Sequence, residues 1–467
     1  MLETNDIQGL IVSGYGSQSF AEYLFMSIRD GVDAKPWLAE LSGRITGAAN
    51  FDRQRKTSTN IAFTYKGVAR LGLSTETLTT FPLEFVEDMS DPSRSQMLGD
   101  DPDTWQWGKP DHRIHVLLML FASDQDSLNK LIGAERLAAQ GIVDEVLDIP
   151  SQTFPSQTDS KLNREHFGFV DGISQPDIEG YRPERYGADG PGNIIKPGEF
   201  ILGYENEYSG QLTASPHLHA PDADPKGLLK DGDLGRNGSF LVVRQMEQDV
   251  AGFWLMIRAQ CMAPDATPDA DAEEHLAAKI LGRWRDGTPL AVSPSHNGMN
   301  PARLNAFGFS DDPYGFKCPA GAHVRRTNPR EMLLADKTDS ITTVKRHRMI
   351  RRGRPYGQCI PDRYTPDRQS RGLVFAALNA NIERQFEFIQ SAWISSPNFA
   401  GLYDEADPML GGRTQSAGAF TVPKCPVRDR RTGILTHVQI KGGAYFFMPG
   451  LAALRFLTAA ADRVNSY

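Results

Sequence analysis

The sequence predicts an α+β chain built from two similar halves, each an antiparallel sheet carrying helices. Three observations lead there. The 467 residues exceed the size at which a single core stops growing. A strand pattern followed by a helix pattern occurs twice in each half, as in a split α+β unit. Between the halves, residues 177–237 form a stretch dense in Pro, Gly and Asp with little periodicity.

Taken in order, Ile7 to Ser13 reads as a strand, and Phe20, Tyr23, Leu24 and Ile28 recur at the three- and four-residue spacing of a helix face. The second pair is a strand from Ile114 to Phe121 and a helix through Leu128, Leu131 and Ile132. In the second half, Ser239 to Val243 reads as a strand, and Val250, Phe253, Trp254, Ile257 and Cys261 make a helical stripe. Gly372 to Ala376 then reads as a strand, before a helix whose apolar face is Ile382, Phe386, Ile389 and Trp393. The middle stretch, with Pro183, Pro191, Pro197, Pro216, Pro221 and Pro225, is too long for an ordinary connection and is expected to be a packed functional loop. The expected division is 1–215 and 216–467.

Composition narrows the function. A formal net charge of -8 argues against a nucleic-acid binder, which needs a concentrated basic face. The opening Met1 to Asp6 carries acids where a secretory leader needs Lys or Arg, and the run from Ile114 to Ala122 is too short for a membrane span, so a soluble cytoplasmic protein is expected. Cys261, Cys318, Cys359 and Cys425 form no CxxC pair, which excludes a zinc ribbon and predicts reduced thiols. His217 and His219 form an HxH pair whose ordinary reading is a solvated loop. No sequence feature specifies an oligomeric state.

The chemistry concentrates in three segments. Gly168-Phe169-Val170-Asp171-Gly172, continuing to Pro176, places a carboxylate on a glycine-bracketed turn between apolar flanks. An Asp beside Gly commonly serves turn chemistry alone; with a guanidinium nearby, it becomes a proton acceptor. Cys318-Pro319-Ala320-Gly321-Ala322-His323 brings an imidazole along a small-residue approach that lets a flat cofactor come close. Met349-Ile350-Arg351 breaks a basic cluster with apolar residues, so the chain is expected to turn inward and carry Arg351 with it. Arg330, after Asn328-Pro329, suits a carboxylate such as a haem propionate. Either Glu387 or Asp407 is a candidate to hold the second nitrogen of His323 and strengthen metal binding.

Together these segments resemble the dye-decolorizing peroxidase family, in its larger bacterial and fungal branch. The resemblance extends to Gly238–Arg244, Asn379–Gln390 and Phe446–Gly450, and so over nearly the whole chain. It implies two ferredoxin-like halves of the dimeric α+β barrel type, with haem between them against the second. It implies His323 as the iron ligand, Asp171 as the distal acid, Arg351 as the distal arginine, Arg330 as a propionate partner and Asp407 as the acid behind the histidine. The implied cofactor is one haem b per chain, non-covalent because Cys318 and His323 have a C-x4-H spacing where covalent attachment needs CxxCH. The implied partners are hydrogen peroxide and bulky aromatic donors, dyes and phenolics, oxidised by one-electron steps, with no nucleic acid and no membrane. The competing expectation is a haem-binding or haem-trafficking protein without significant turnover. Trp393, Tyr356 and Tyr403 are candidate electron relays whose ordinary role is packing.

Overall fold

The computed structural model describes residues 2–49, 54–156, 162–182, 190–262, 267–295, 304–411 and 418–459. Pro183 of the middle stretch lies outside them. Four strands come from the first part of the chain: β1 (Phe20–Ile28), β2 (Thr57–Phe63), β3 (Val116–Ala122) and β4 (Val143–Gln152). Five come from the second: β5 (Ser239–Gln248), the short β6 (Ile350–Arg351) and β7 (Arg354–Tyr356), β8 (Gly372–Asn379) and β9 (Val438–Met448).

Both parts repeat one plan. In the first, the antiparallel order is β2–β3–β1–β4, with helices Lys35–Ser42 and Gln125–Ala138 following β1 and β3. In the second, it is β7–β8–β5–β9, with helix Val250–Cys261 after β5 and a helical run of π-type turns, Glu383–Glu387 and Ile389–Ile394, after β8. Each is a ferredoxin-like unit. The two sheets join at both sides, Phe447 of β9 opposite Phe63 of β2 and Tyr356 of β7 opposite Ser151 of β4. The strands thus close into a barrel, which leaves no long hydrophobic edge open to pairing.

Alternation along the strands divides the core in two. In β3, Leu117, Met119 and Phe121 face the cluster inside the barrel, where they meet Tyr23, Leu241 and Phe446. Leu118 and Leu120 face outward and are covered by helix residues such as Trp37, Leu41, Leu128 and Ile132. Leu118 is 1% exposed, and Leu118→Ala is expected to cost about 2–5 kcal/mol of unfolding free energy, read from a chemical denaturation curve. A third cluster packs Phe167 and Phe169 of the Asp171 loop on Val250, Phe253, Trp254 and Ile257.

Two sequence expectations are corrected. Phe20 to Ile28 is a strand, not a helix: its run is buried on both faces, so the two-residue period vanishes and a helical spacing arises by coincidence. Ile7 to Ser13 is not a strand either, since Gly9–Val12 forms one helical turn within the barrel cluster. The other strands and helices form where expected.

Among its described residues, the first part of the middle stretch packs into the core. Ile178, Ile195, Phe200 and Ile201 join the barrel cluster, and Asn193 accepts a hydrogen bond from Arg348 Nη2 (2.9 Å) while donating to the Gln175 carbonyl (2.9 Å). All four cysteines are free thiols. Among the described residues, no helix is long and apolar enough to cross a membrane, and no three His, Cys, Asp or Glu side chains gather as a metal site.

Candidate active site

The loop that carries Asp171 is held by the residue six positions before it. The Glu165 carboxylate accepts from the backbone N–H groups of Phe167 and Phe169 (both 2.8 Å) and from Gln248 Nε2 (2.6 Å). Gly168 takes a φ of +99°, which favours glycine, and a Cβ there would stand 3.3 Å from Arg285 Nε. Val170–Asp171 then pairs with Asn163–Arg164 as a short antiparallel bridge. Phe167, Phe169 and Val170 are buried, while the Asp171 side chain is 45% exposed towards a cavity.

Burial pushes the Glu165 carboxyl up to about 7 from its ordinary 4.5, against the opposing effect of its Gln248 and backbone hydrogen bonds. The folded protein therefore holds a proton over an interval where the unfolded chain has lost it. Stability from this group is complete below pH 4.5 and is lost as pH rises through about 7. Glu165→Gln is expected to flatten that part of the stability profile, measured as denaturation midpoints from pH 4.5 to 7.

His323 opens a short helix, His323–Thr327, where the chain emerges from Gly321 and Ala322. Its Nδ1 lies 2.9 Å from Asp407 Oδ2. The other Asp407 oxygen accepts from the backbone N–H of Met409 (2.7 Å) and Leu410 (3.0 Å). Burial raises the Asp407 carboxyl, but the His323 imidazole, the Arg326 guanidinium and the Met409 N–H outweigh it, leaving the group below its ordinary value. A carboxylate so fixed sets the ring orientation and the tautomer of His323, keeping Nε2 free for a metal.

Arg351 follows buried Ile350 on β6, which pairs with β8. Its Nη1 lies 3.3 Å from Asp171 Oδ1, and its backbone N–H donates to Gln175 Oε1 (3.0 Å). Asp171, Arg351 and His323 all line one cavity. Apolar side chains from both parts of the chain complete it, including Phe169, Leu373, Phe375, Ile389 and Met409. This is an imidazole backed by a carboxylate and an ion pair on one largely apolar cavity.

No family model matches the chain. It is 28% identical to dye-decolorizing peroxidase msp1 of Mycetinis scorodonius over 97% of this chain and 87% of that protein. It is 29% identical to multifunctional dye peroxidase DyP2 of Amycolatopsis sp. over 93% and 91%. A solved structure described as a dye-decolorizing peroxidase complex with 2,6-dimethoxyphenol superposes with a TM-score of 0.80 at 25% identity, over 98% of this chain and all of that one. The chain is thus similar over nearly its whole length to dye-decolorizing peroxidases of fungi and bacteria.

Those peroxidases are haem enzymes, and the cavity has features that fit haem. Arg283 lines it with 3% of its surface exposed, Nη1 donating to the carbonyls of Gly287 (2.9 Å) and Leu304 (2.5 Å). Its Nη2 is buried without a hydrogen-bond partner, and burial lowers the guanidinium to about 9. Such a cation calls for an anion, as a propionate is.

Arg330, expected to meet that propionate, does not line the cavity. Its Nη1 and Nη2 donate to the Phe307 carbonyl and Asn305 Oδ1, both 2.9 Å, and its guanidinium stacks 4.0 Å over the Phe307 ring. Glu387 stands elsewhere, bound by Arg94 Nη1 (2.7 Å) and the Tyr445 hydroxyl (2.8 Å). Sequence reasoning missed Glu165, Arg283 and Arg348, which all line the cavity. The spacing of Glu165 from Asp171 was a usable signal. Arg283 has none, being one arginine in a helix-ending Gly-Arg-Trp-Arg run. Trp393 and Tyr356 are buried and Tyr403 is exposed.

Proposed function

We propose that the protein is a haem-dependent peroxidase that reduces hydrogen peroxide and oxidises bulky aromatic donors, dyes and phenolics, in one-electron steps. The observation that carries this reading is the convergence of His323 with its Asp407 partner and the Asp171–Arg351 pair on one cavity. One haem b per chain, bound without covalent attachment, would supply peroxide reduction and pass the resulting oxidising power to donors. His323 would hold the iron, with Asp407 fixing the orientation of its ring and raising its basicity. Arg283 would take one propionate, and Arg330, whose guanidinium lies over the same Phe307 ring as that of Arg283, would take the second at the cavity's edge.

On the other side of the reaction, Asp171 takes a proton from one peroxide oxygen and returns it to the other. Arg351, 3.3 Å from that carboxylate, stabilises negative charge on the departing oxygen; help of this kind is worth about 3 kcal/mol. The apolar walls exclude bulk water and strengthen both effects. The ion pair distinguishes this reading from a haem carrier, which needs the histidine alone. Residues 1–215 supply the acid in this scheme and 216–467 the histidine and arginine.

The test is an absorption spectrum of haem-loaded protein before and after one equivalent of peroxide. A peroxidase gives a rapid change that an added phenol reverses. A carrier gives peroxide decomposition no faster than free haem, which would overturn the reading.

A further inference from the structure

A second cleft lies behind the Asp171 loop, and Phe167 lines both it and the first cavity. Arg164, Arg285 and Arg363 line this cleft against one lining acid, Asp362. From outside the lining, Glu274 Oε1 binds Arg285 Nη1 (3.0 Å) and Arg363 Nη1 (2.6 Å). Setting Glu274 and Asp362 against three arginines leaves one positive charge, and it belongs to Arg164, whose side chain meets only Cys359 Sγ at 3.8 Å among the described residues. Nε of Arg164 and Nε of Arg285 are both buried without a hydrogen-bond partner.

The cleft is also aromatic. Trp254 and Tyr364 line it beside Phe167. Trp254 donates through Nε1 to the Phe167 carbonyl (3.1 Å), and its ring lies 6.5 Å from that of Phe169 at an interplanar angle of 9°. Phe169 is a wall of the first cavity. One aromatic layer therefore separates the cleft from the proposed cofactor site, and the rim at Pro361 and Asp362 is exposed.

We propose that this cleft binds a small anionic aromatic donor, a phenolic carboxylate, with its carboxylate on Arg164 and its ring on the Arg363 guanidinium, which itself stacks 3.9 Å over the Trp254 ring. The binding stands by itself; its use in turnover rests on the peroxidase reading. In that use, each phenol gives one electron across Trp254 and Phe169 and its hydroxyl proton to water, becoming a phenoxyl radical. Two phenols so supply the two electrons and two protons with which one peroxide becomes two waters.

The experiment is equilibrium dialysis of haem-loaded protein, without peroxide, against 4-hydroxybenzoate and its neutral analogue 4-hydroxybenzamide. Losing a hydrogen-bonded charge partner is expected to weaken 4-hydroxybenzoate binding about tenfold or more in both Arg164→Ala and Arg164→Gln. Binding of 4-hydroxybenzamide is expected to stay unchanged. With peroxide present, KM for 4-hydroxybenzoate is expected to rise by the same factor, with kcat and turnover of a neutral phenol unaltered. Equal binding of 4-hydroxybenzoate in wild type and variants, or an equal loss for both ligands, would overturn the proposal. If Arg164→Ala does not fold, Arg164→Gln decides. A charge-dependent difference in dialysis without any peroxide turnover would support the binding site while removing the peroxidase reading.

Discussion

Asp171→Asn is expected to slow the reaction of haem-loaded protein with peroxide about 10²–10⁴-fold, the range associated with losing a positioned general base. Asparagine keeps the size of the side chain and an oxygen to accept from Arg351, but it cannot take the peroxide proton. The native side chain is 45% exposed and its ion pair is the 3.3 Å contact with Arg351, so the fold is expected to persist. Arg351→Leu removes the stabilising charge and is expected to cost about 10²–10³-fold. Because the two groups serve one event, the double variant should lose about as much as Asp171→Asn alone and not the product of both factors. Stopped-flow absorbance on mixing with peroxide reads all three. Unchanged rates in both single variants would remove the pair from the mechanism.

His323→Ala is expected to abolish retention of haem through gel filtration, because among the described residues the other histidine lining the cavity, His347, has the Arg384 carbonyl and not a carboxylate behind it. Asp407→Asn is the finer probe. It keeps an oxygen for the N–H groups of Met409 and Leu410 but removes the charge behind the imidazole, and altering such a partner typically costs 10–100-fold in metal affinity or activity. Asp407→Ala leaves the N–H groups of buried Met409 and half-buried Leu410 without their acceptor and is expected to cost about 1–3 kcal/mol of stability in addition. Haem titration and thermal denaturation separate the two effects. If Asp407→Asn binds haem as tightly and reacts as fast as wild type, the carboxylate has no role beyond holding its loop.

The sequence was most legible where a segment meets the core on one face. The helices Gln125–Ala138 and Val250–Cys261 announce themselves by apolar residues three and four apart. It was least legible for β1, where neighbours on both sides and cover on both faces bury nearly every position, Glu22 included. There, hydrophobic spacing carries no information about the period. Gly9–Val12 failed for a related reason: a short buried run fits a strand or a helical turn equally well.

The same contrast holds at the site. Asp171, His323 and Arg351 stand in short local patterns, with glycines, small residues or an apolar break beside them, so their chemistry could be read in order along the chain. Their partners could not. Asp407 lies 84 positions from His323, and its competitor Glu387 has a chemically equivalent carboxylate; only the folded path of the chain puts one beside the imidazole and the other beside Arg94 and Tyr445. Arg330 could be picked out from its local sequence, but its contacts with Phe307 and Asn305, and the unheralded Arg283 facing the cavity, could not. By itself the sequence determined the types of reactive group and three of the four strand-and-helix pairs, because these depend on residues near one another in the chain. Barrel closure, the choice among equivalent acids and arginines, and the meeting of Asp171 with His323 on one cavity were decided by tertiary structure, because each depends on packing between segments that the sequence keeps far apart.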